Sequence, residues 1–292
     1  MNLDFYKQLS LRFFGRFADK YINNFEALRP NLRFANIGIL LRTWISMIFL
    51  TTALVYIASL IASIIVVLLA GLDFILAFYV VVFVPILAAA LTFLIFYAYP
   101  IQKAKKIRRS IETNMPFALT HMSAIASSGI PPELMFELLT KFEEYGEISR
   151  QSSLIVRNIK TFGMSSLLAI RDVAQRTPSV SFRQILNGID STIEKGGNLT
   201  EYLDDMSEKT LFDYRMKREK YLKTLSTYAD VYTALLIAAP LMMLAILGIL
   251  SVIGGDIAGY SLKDMMILIT LGIIPLLNIA FLAFVHLTYP GV

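Results

Sequence analysis

Four long stretches without a single Asp, Glu, Lys or Arg impose the strongest constraint on how this chain can fold. They cover residues 43–70, 74–99, 231–253 and 265–287. A helix needs about 20 mostly apolar residues to cross the hydrocarbon core of a bilayer, so each stretch can span a membrane. Only residues 71–73 separate the first two stretches, and residues 254–264 separate the last two. The sequence therefore predicts two transmembrane helical hairpins.

Charged residues are concentrated between the two hairpins, from residue 101 to residue 230. The whole chain is 56% hydrophobic, above the roughly 45–50% of soluble domains. This uneven distribution is typical of a membrane protein with an inserted aqueous domain. The chain has no cysteine, which excludes disulfides, thiolate metal sites and cysteine nucleophiles.

The distribution of Lys and Arg predicts the orientation of the spans. Basic residues cluster before the first span, after the second and before the third, whereas the two outer loops together contain a single basic residue, Lys263. Because such residues accumulate in cytoplasmic loops, we expect a multi-pass cell-membrane protein with both termini in the cytoplasm. The expected organisation is a cytoplasmic amphipathic segment (1–42), a transmembrane hairpin (43–99), a cytoplasmic helical domain (100–230), a second transmembrane hairpin (231–289) and a cytoplasmic tail (290–292).

The N-terminal segment is too polar for the apolar region of a signal peptide. It combines helical spacing of apolar residues with a basic border, through Phe5, Leu9, Arg12, Phe13, Arg16, Phe17 and Lys20. This pattern leaves two interpretations open. The segment is either a helix on the inner membrane surface or a helix packed against the rest of the protein.

The central domain has the periodicity of helices rather than strands. Apolar residues recur at i, i+3, i+4 and i+7, for example within residues 135–142 and 182–189. We expect a bundle of about six helices whose outer members continue into the second and third spans. The predicted fold class is an all-α integral membrane protein with four transmembrane helices in two hairpins and a cytoplasmic helical bundle between them.

Three related segments in this domain open at Gly129, Gly163 and Gly197, at intervals of 34 residues. Each glycine is expected to end one helix in the left-handed conformation before the next helix begins. The signature residues of a tetratricopeptide repeat are missing, so a binding solenoid is rejected. Helix starts are expected at prolines suited to a first turn and at side chains able to cap, namely Pro116, Pro131, Pro178, Asn114, Ser165 and Asn198.

The sequence gives no sign of catalysis, a metal or a cofactor. The pair Gly196-Gly197 lacks the lysine of a phosphate-binding loop, so the chain is not a motor ATPase. His121 and His286 have no second ligand at metal spacing, and a paired polar side chain is the expected role of each. The spans contain only Asn278 and His286 as strongly polar residues, which supports a transporter or channel subunit poorly, although that alternative stays open.

An ordered set of short motifs resembles a known family. The motifs are Met-Pro at 115–116, Ser-Gly at 128–129, Thr-Pro-Ser at 177–179 and Gly-Gly-Asn-Leu at 196–199, followed by a basic helix that enters an apolar span. This order is similar to the F-type platform domain of type II secretion systems, type IV pili, Tad pili and archaella, and is most similar to the archaeal members. The resemblance covers most of residues 114–250.

The resemblance implies a non-enzymatic inner-membrane platform for the assembly of pilus, archaellum or secretion filaments. Its implied partners are a cytoplasmic assembly ATPase and the pilin or archaellin subunits that are inserted or extracted. Many relatives carry two such modules and this chain has one, which implies a homodimer or a heterodimer with a paralogous module.

Several groups of residues are candidate partner contacts. Glu143, Glu144 and Glu147 form either a solvated face or a docking site for a basic surface. The basic clusters are explained by topology and lipid-headgroup contact, and a nucleic-acid role is rejected. The complete set of candidate contacts is Glu143, Glu144, Glu147, Lys195, Gly196, Gly197, Asn198, Lys103, Lys105, Lys106, Arg108, Arg109, Arg215, Lys217 and Arg218, with structural turns at Gly129, Pro131, Gly163, Pro178 and Gly197.

Overall fold

The computed structural model describes residues 3–71, 73–253, 256–257 and 260–288. These residues are almost entirely helical, and four helices are long and apolar enough to cross a membrane. The predicted fold class is confirmed in these respects. The helices are α1 (Leu3–Tyr21), α2 (Leu28–Phe34), α3 (Leu41–Ala70), α4 (Phe74–Ser127), α5 (Pro132–Leu139), α6 (Glu147–Lys160), α7 (Ser166–Arg176), α8 (Val180–Glu194), α9 (Leu199–Tyr232), α10 (Ala239–Ile253), α11 (Leu262–Leu268) and α12 (Ile274–Thr288).

Shorter elements connect some of these helices. Single 3-10 turns cover Ile22–Phe25 and Glu143–Tyr145, and π-helical segments cover Thr233–Ala238 and Ile269–Ile273. A two-residue antiparallel pair joins β1 (Asp256–Ile257) to β2 (Tyr260–Ser261). The chain divides into two compact units, Met1–Glu208 and Lys209–Val292.

The first hairpin consists of α3 and α4, joined by a turn in which Gly71 has a φ of +58°. Its base is enclosed by α1, α2 and the residues of α4 near position 97. A cluster of aromatic and aliphatic side chains fills this base: Ala18, Leu28, Leu32, Leu41, Trp44, Ile45 and Ile48 are buried, and Phe25, Phe49, Phe93, Phe96 and Tyr97 pack against them. We name this cluster the hairpin base.

The bundle follows the first hairpin and is built from the end of α4, the short helices α5 to α8 and the start of α9. Each short helix buries one apolar stripe against the others, as amphipathic periodicity requires. The shared core includes Ile111, Leu119, Met122, Met135, Phe136, Leu139, Ile155, Ile170, Phe182, Leu186, Ile189 and Leu203. Six helical segments thus contribute to this core.

The glycine turns correct one of the sequence predictions. Gly129 and Gly163 have φ of +69° and +65°, but the third left-handed residue is Gly196, at +67°, rather than Gly197. Gly196 N–H donates to Ile193 O, and Gly197 N–H donates to Thr192 O over 2.8 Å. This is the Schellman pattern, in which the left-handed residue comes directly after the C-cap. The interval between the second and third turns is therefore 33 residues rather than 34.

Two of the predicted helix starts are wrong. Asn114 and Pro116 lie inside α4, which continues without a break to Ser127. Pro116 is buried in the bundle, and its carbonyl accepts a hydrogen bond from Thr120 Oγ1. Packing therefore outweighs the unfavourable position of this proline.

The other predicted helix-start residues lie at or next to the starts of helices. Ser165 Oγ accepts from Leu168 N, and Asn198 Oδ1 accepts from Thr200 N and Glu201 N. Pro131 directly precedes α5, whose first residue is also a proline. Pro178 lies one residue before the N-cap Ser179 instead of in the first turn of α8.

The second hairpin contains two helical paths that are each interrupted by a π-helical segment. In both paths a proline follows shortly afterwards, Pro240 after Thr233–Ala238 and Pro275 after Ile269–Ile273. A proline has no N–H to donate and clashes with the preceding turn, which favours such local rearrangements. The buried apolar cluster of this hairpin is small and is centred on Leu247 and Ile269.

Candidate functional site

A groove beside α4 brings together two groups of candidate residues that are far apart in the sequence. It has a volume of about 490 Å³ and lies between α4 and the first residue of α6. Its lining residues are Tyr99, Gln102, Lys103, Lys106, Ile107, Ser110 and Glu147. Two residues of the basic cluster of α4, Lys103 and Lys106, therefore lie near one residue of the acidic cluster, Glu147.

The groove depends on a close approach between the turn at Gly146 and α4. Gly146 has a φ of +55°, and a Cβ atom added there would lie 2.8 Å from Ser110 Oγ and 3.2 Å from Asn114 Nδ2. The next residue, Glu147, donates its backbone N–H to Ser110 Oγ over 3.2 Å. A glycine is required at this position because other residues would be strained and would clash.

The 3-10 turn at Glu143–Tyr145 is fixed to α4 by aromatic contacts. His121 Nδ1 lies 3.1 Å from Tyr145 Oη, and the His121 ring packs edge-on against Phe142. The predicted polar partner of His121 is thereby confirmed. Burial, together with the charge of Glu144, raises the pKa of Tyr145 above its usual value, so the phenol stays protonated near neutral pH.

The charged side chains around the groove differ in exposure and in pairing. Glu143 and Glu144 are exposed, whereas Glu147 is half-buried and forms an ion pair with Arg150 at 3.3 Å. Lys103 and Lys106 form no ion pair within the residues that the structure describes. Two free ammonium groups on one face can attract an acidic surface of a partner.

The other basic residues of α4 point away from this groove. Arg108 pairs with Glu112 on the helix surface, at 2.8 Å. Lys105 and Arg109 are exposed and do not line the groove. Of the five basic residues singled out in the sequence here, two belong to the site.

The turn at residues 195–198 lies at a different part of the bundle. It is exposed, and Thr200 Oγ1 anchors the following helix start to Ala126 O near the end of α4. Ala126 is about 24 Å along α4 from Ser110, given a rise of 1.5 Å per residue. The structure therefore does not bring this turn together with the groove. Arg215, Lys217 and Arg218 are exposed on α9, in the part of that helix that belongs to the second unit.

A polar cleft that the sequence did not reveal lies between α2 and the pair α6 and α7. Asn158 Nδ2 donates to Asp172 Oδ2, and Arg176 pairs with the same carboxylate at 2.7 Å. The buried Gln151 Oε1 at this cleft has no hydrogen-bond partner within the described residues. Asn158 was the available signal, since an amide on the buried face of an amphipathic helix needs a polar partner.

The described residues contain no group of three or more side chains with metal-ligand chemistry. His286 is exposed on α12. The candidate site thus offers charge pairs and a groove, which are features of a binding surface.

Comparison with known proteins finds a match for the central part of the chain. Residues 118–247 match the family model of the type II secretion system (T2SS), protein F. The matched region begins in α4, covers α5 to α9 and ends in α10. No solved structure matches the chain.

Three curated relatives are archaeal proteins of low identity. The chain is 25% identical over 180 residues to flagella accessory protein J of Methanocaldococcus jannaschii, covering 60% of this chain and 31% of that protein. It is 23% identical over 137 residues to the protein of the same name from Methanococcus voltae, covering 47% and 25%. An uncharacterized protein of M. jannaschii is 24% identical over 134 residues, covering 46% and 22%. The chain therefore spans less than a third of the length of each of these relatives.

Proposed function

We propose, on the premise that residues 118–247 form a type II secretion system protein F domain, that the chain is a membrane platform. In this proposal it belongs to a type IV pilus-like, archaellum-like or type II secretion machine. It couples a cytoplasmic assembly ATPase to the insertion or extraction of pilin-like subunits and has no catalytic role of its own. The observation that carries the proposal is the match of this domain across the bundle and into the third span.

The continuity of α4 supports a mechanical role. This helix has 54 residues and extends from the membrane-spanning hairpin into the core of the bundle. Lys103, Lys106 and Ser110 lie on this same helix. A displacement at the groove would reach the span through a continuous helix, whereas a flexible linker would absorb it.

The groove is our candidate contact for the ATPase. Lys103 and Lys106 would attract acidic groups, and the neighbouring Glu143 and Glu144 would attract basic ones. A surface that carries both signs of charge selects the orientation of the partner as well as its identity. A partner docked in a shifted register would bring like charges together, and these repel.

Charge reversal at the groove tests this assignment. Lys103→Glu combined with Lys106→Glu should abolish filament assembly in a strain that lacks its own copy, and should reduce co-purification of the full chain with the ATPase. The matched control is Lys105→Glu with Arg109→Glu, which makes the same charge change on the same helix outside the groove.

The possible outcomes distinguish the proposed platform function from the proposed ATPase contact at the groove. Normal filaments in the deletion strain without any paralogue would overturn the platform proposal. Filaments that need the chain but tolerate the groove reversal would overturn only the contact assigned to Lys103 and Lys106. Transport of small solutes into liposomes by the purified chain would favour the transporter alternative.

The proposed topology places the bundle and both termini in the cytoplasm. Because the chain has no cysteine, single cysteines can be introduced at Glu144 and at Lys263 without background labelling. A membrane-impermeant maleimide added to intact cells should label Lys263→Cys and leave Glu144→Cys unlabelled. The reverse pattern would contradict the orientation.

A second F module is also part of the proposal. The matched regions occupy 22–31% of the relatives' lengths, which is compatible with a platform assembled from more than one copy of the chain or from a paralogue. Light scattering of the purified chain in detergent should give a dimer, or a stable complex once the paralogue is co-expressed. A monomer in both preparations would contradict it.

A further inference from the structure

The helix α1 is held against the base of the first hairpin by one of its faces. Ser10 and Ala18 are fully buried on that face, and the Phe14 ring packs on Phe49 with centroids 6.3 Å apart. At the other end of the helix, Asp19 pairs with Arg42 at 2.8 Å. These contacts account for one side of α1 and fix its place beside α3.

The burial pattern of α3 places the membrane surface relative to α1. From Leu41 to Leu50 nearly every residue of α3 is buried by protein, whereas from Thr51 to Ala70 only Ser63 is buried. Residues 51–70 rise about 30 Å, which equals the thickness of the hydrocarbon core. The lipid-facing part of α3 therefore begins at Thr51.

The start of α1 lies at the same level as this boundary. The Tyr6 hydroxyl is buried beside Thr51, outside hydrogen-bonding geometry, while Asp19 is near Arg42, at the first turn of α3. The two helices are thus antiparallel. The helix α1 leads away from the hydrocarbon boundary through the layer where lipid headgroups lie.

The free side of α1 carries an aromatic column beside a basic column. Phe5, Phe13 and Phe17 are 61%, 64% and 57% exposed. Phe13 and Phe17 are four residues apart and share one stripe of the helix, whereas at 3.6 residues per turn Phe5 lies about 80° from Phe13, between the directions of Arg12 and Arg16. Exposed basic residues precede three aromatic positions directly, Arg12 before Phe13, Arg16 before Phe17 and Lys20 before Tyr21. Arg12 and Arg16 form no ion pair within the described residues.

From these observations we infer that α1 is a lipid-binding helix, whose aromatic column inserts between headgroups and whose basic column binds anionic phospholipid. Aromatic rings prefer the membrane interface, and basic side chains are attracted to the negative surface of an anionic leaflet. The contacts with α3 place the start of the column, at Phe5, at that interface. Binding to a protein partner would not require the aromatic residues to lie at the level of the membrane interface.

Fluorescence quenching by lipid tests the inference on the full chain. Single cysteines at Phe5, Phe13, Phe17 and Phe162 are labelled with an environment-sensitive fluorophore in phosphatidylcholine–phosphatidylglycerol proteoliposomes. Phe162 is the matched control, since it is an aromatic residue of the bundle with 61% exposure. Lipids brominated in the acyl chain should quench the label most at position 5, less at 13 and least at 17, with no quenching at 162.

Substitution of the basic column provides an independent test of the inference. Arg12→Gln, Arg16→Gln and Lys20→Gln together should weaken quenching at position 13 by headgroup-labelled phosphatidylglycerol. Replacing that lipid with headgroup-labelled phosphatidylcholine at the same mole fraction should have the same effect on the unmodified column. Lys105→Gln with Arg109→Gln serves as the charge control and should change nothing.

Three results would overturn the inference. One is a label at position 13 that is quenched by aqueous iodide as strongly as the label at 162. Another is a label shielded from both iodide and brominated lipid, which would assign the column to a protein partner or a second copy. The third is quenching that does not depend on phosphatidylglycerol, which would remove the role of the basic column.

Discussion

The two transmembrane hairpins have similarly apolar helices but are stabilised in different ways. The first has unbroken helices, a tight turn at Gly71 and a base enclosed by α1 and α2. The second has π-helical interruptions in both helical paths and a buried cluster centred on Leu247 and Ile269. Hydrophobic length alone therefore does not decide how well a hairpin is packed.

The difference shows where a membrane hairpin obtains its stability. Lipid tails are as apolar as Leu, so burying apolar side chains against one another inside the bilayer gains little. The hairpin base lies where α3 is covered by protein. Its aromatic side chains are transferred from water into a protein environment there, which is favourable. The second hairpin lacks an equivalent enclosure within the described residues of its unit and relies on contacts between its spans.

The largest expected effect comes from truncating the hairpin base. Ile45 is fully buried, and Ile45→Ala should lower the free energy of unfolding by about 2–5 kcal/mol, as large-to-small core substitutions do. The measurement is SDS or thermal unfolding of the purified chain in mixed micelles. Leu250→Ala, at a position 38% exposed in the second hairpin, is the control and should cost well under about 1 kcal/mol.

Equal losses in these two variants would contradict the comparison. That result would mean that in-span packing stabilises the second hairpin as strongly as the enclosed base stabilises the first.

A smaller effect is expected from restoring a backbone donor in the second hairpin. Pro240→Ala supplies an N–H that can bond to Leu236 O, which should remove the π-helical segment and raise the free energy of unfolding by about 1 kcal/mol. Hydrogen exchange at residues 233–240 should become slower. Leu241→Ala changes the neighbouring exposed residue without adding a donor, and unchanged exchange in Pro240→Ala would show that the proline does not cause the interruption.

Part of this architecture could be predicted from the sequence. Charge-free stretches gave the four spans, because the cost of burying charge in lipid is large and local in sequence. Apolar periodicity gave the bundle helices. The hairpin base could not be predicted, since residues 43–50 lack charged side chains just as the lipid-facing residues that follow do, and hydropathy does not distinguish a protein contact from a lipid contact.

The errors have similar physical causes. Pro116 resembles a helix start locally, but burial in the bundle keeps α4 continuous around it. At Gly196-Gly197 either glycine could adopt a positive φ, and the hydrogen bonds to Ile193 and Thr192 select the first. The groove was only partly predictable. Both of its charged clusters were singled out, but their meeting depends on the close contact of Gly146 with Ser110.

An in-span hydrogen bond offers a finer test of the second hairpin. Tyr232 Oη donates to Asn278 Oδ1 over 2.9 Å. Asn278→Leu, Tyr232→Phe and the double variant form a cycle whose coupling energy should be about 0.6 kcal/mol, the usual size of such bonds in membranes. A coupling of zero, measured by the same unfolding assay, would leave the aromatic contact of Tyr232 with Phe281 as the main link there.

The smallest effect is expected at the ion pair of the hairpin base. Arg42 and Asp19 are each about half exposed, at 52% and 50% of their side-chain surface, so solvent screens their attraction. A cycle of Arg42→Gln and Asp19→Asn should give a coupling of about 0.2–0.5 kcal/mol that decreases as salt is added. A coupling above about 2 kcal/mol, insensitive to salt, would mean that the pair is desolvated in the membrane. The stability of the first hairpin would then rest on electrostatics at the headgroup layer as well as on its apolar base.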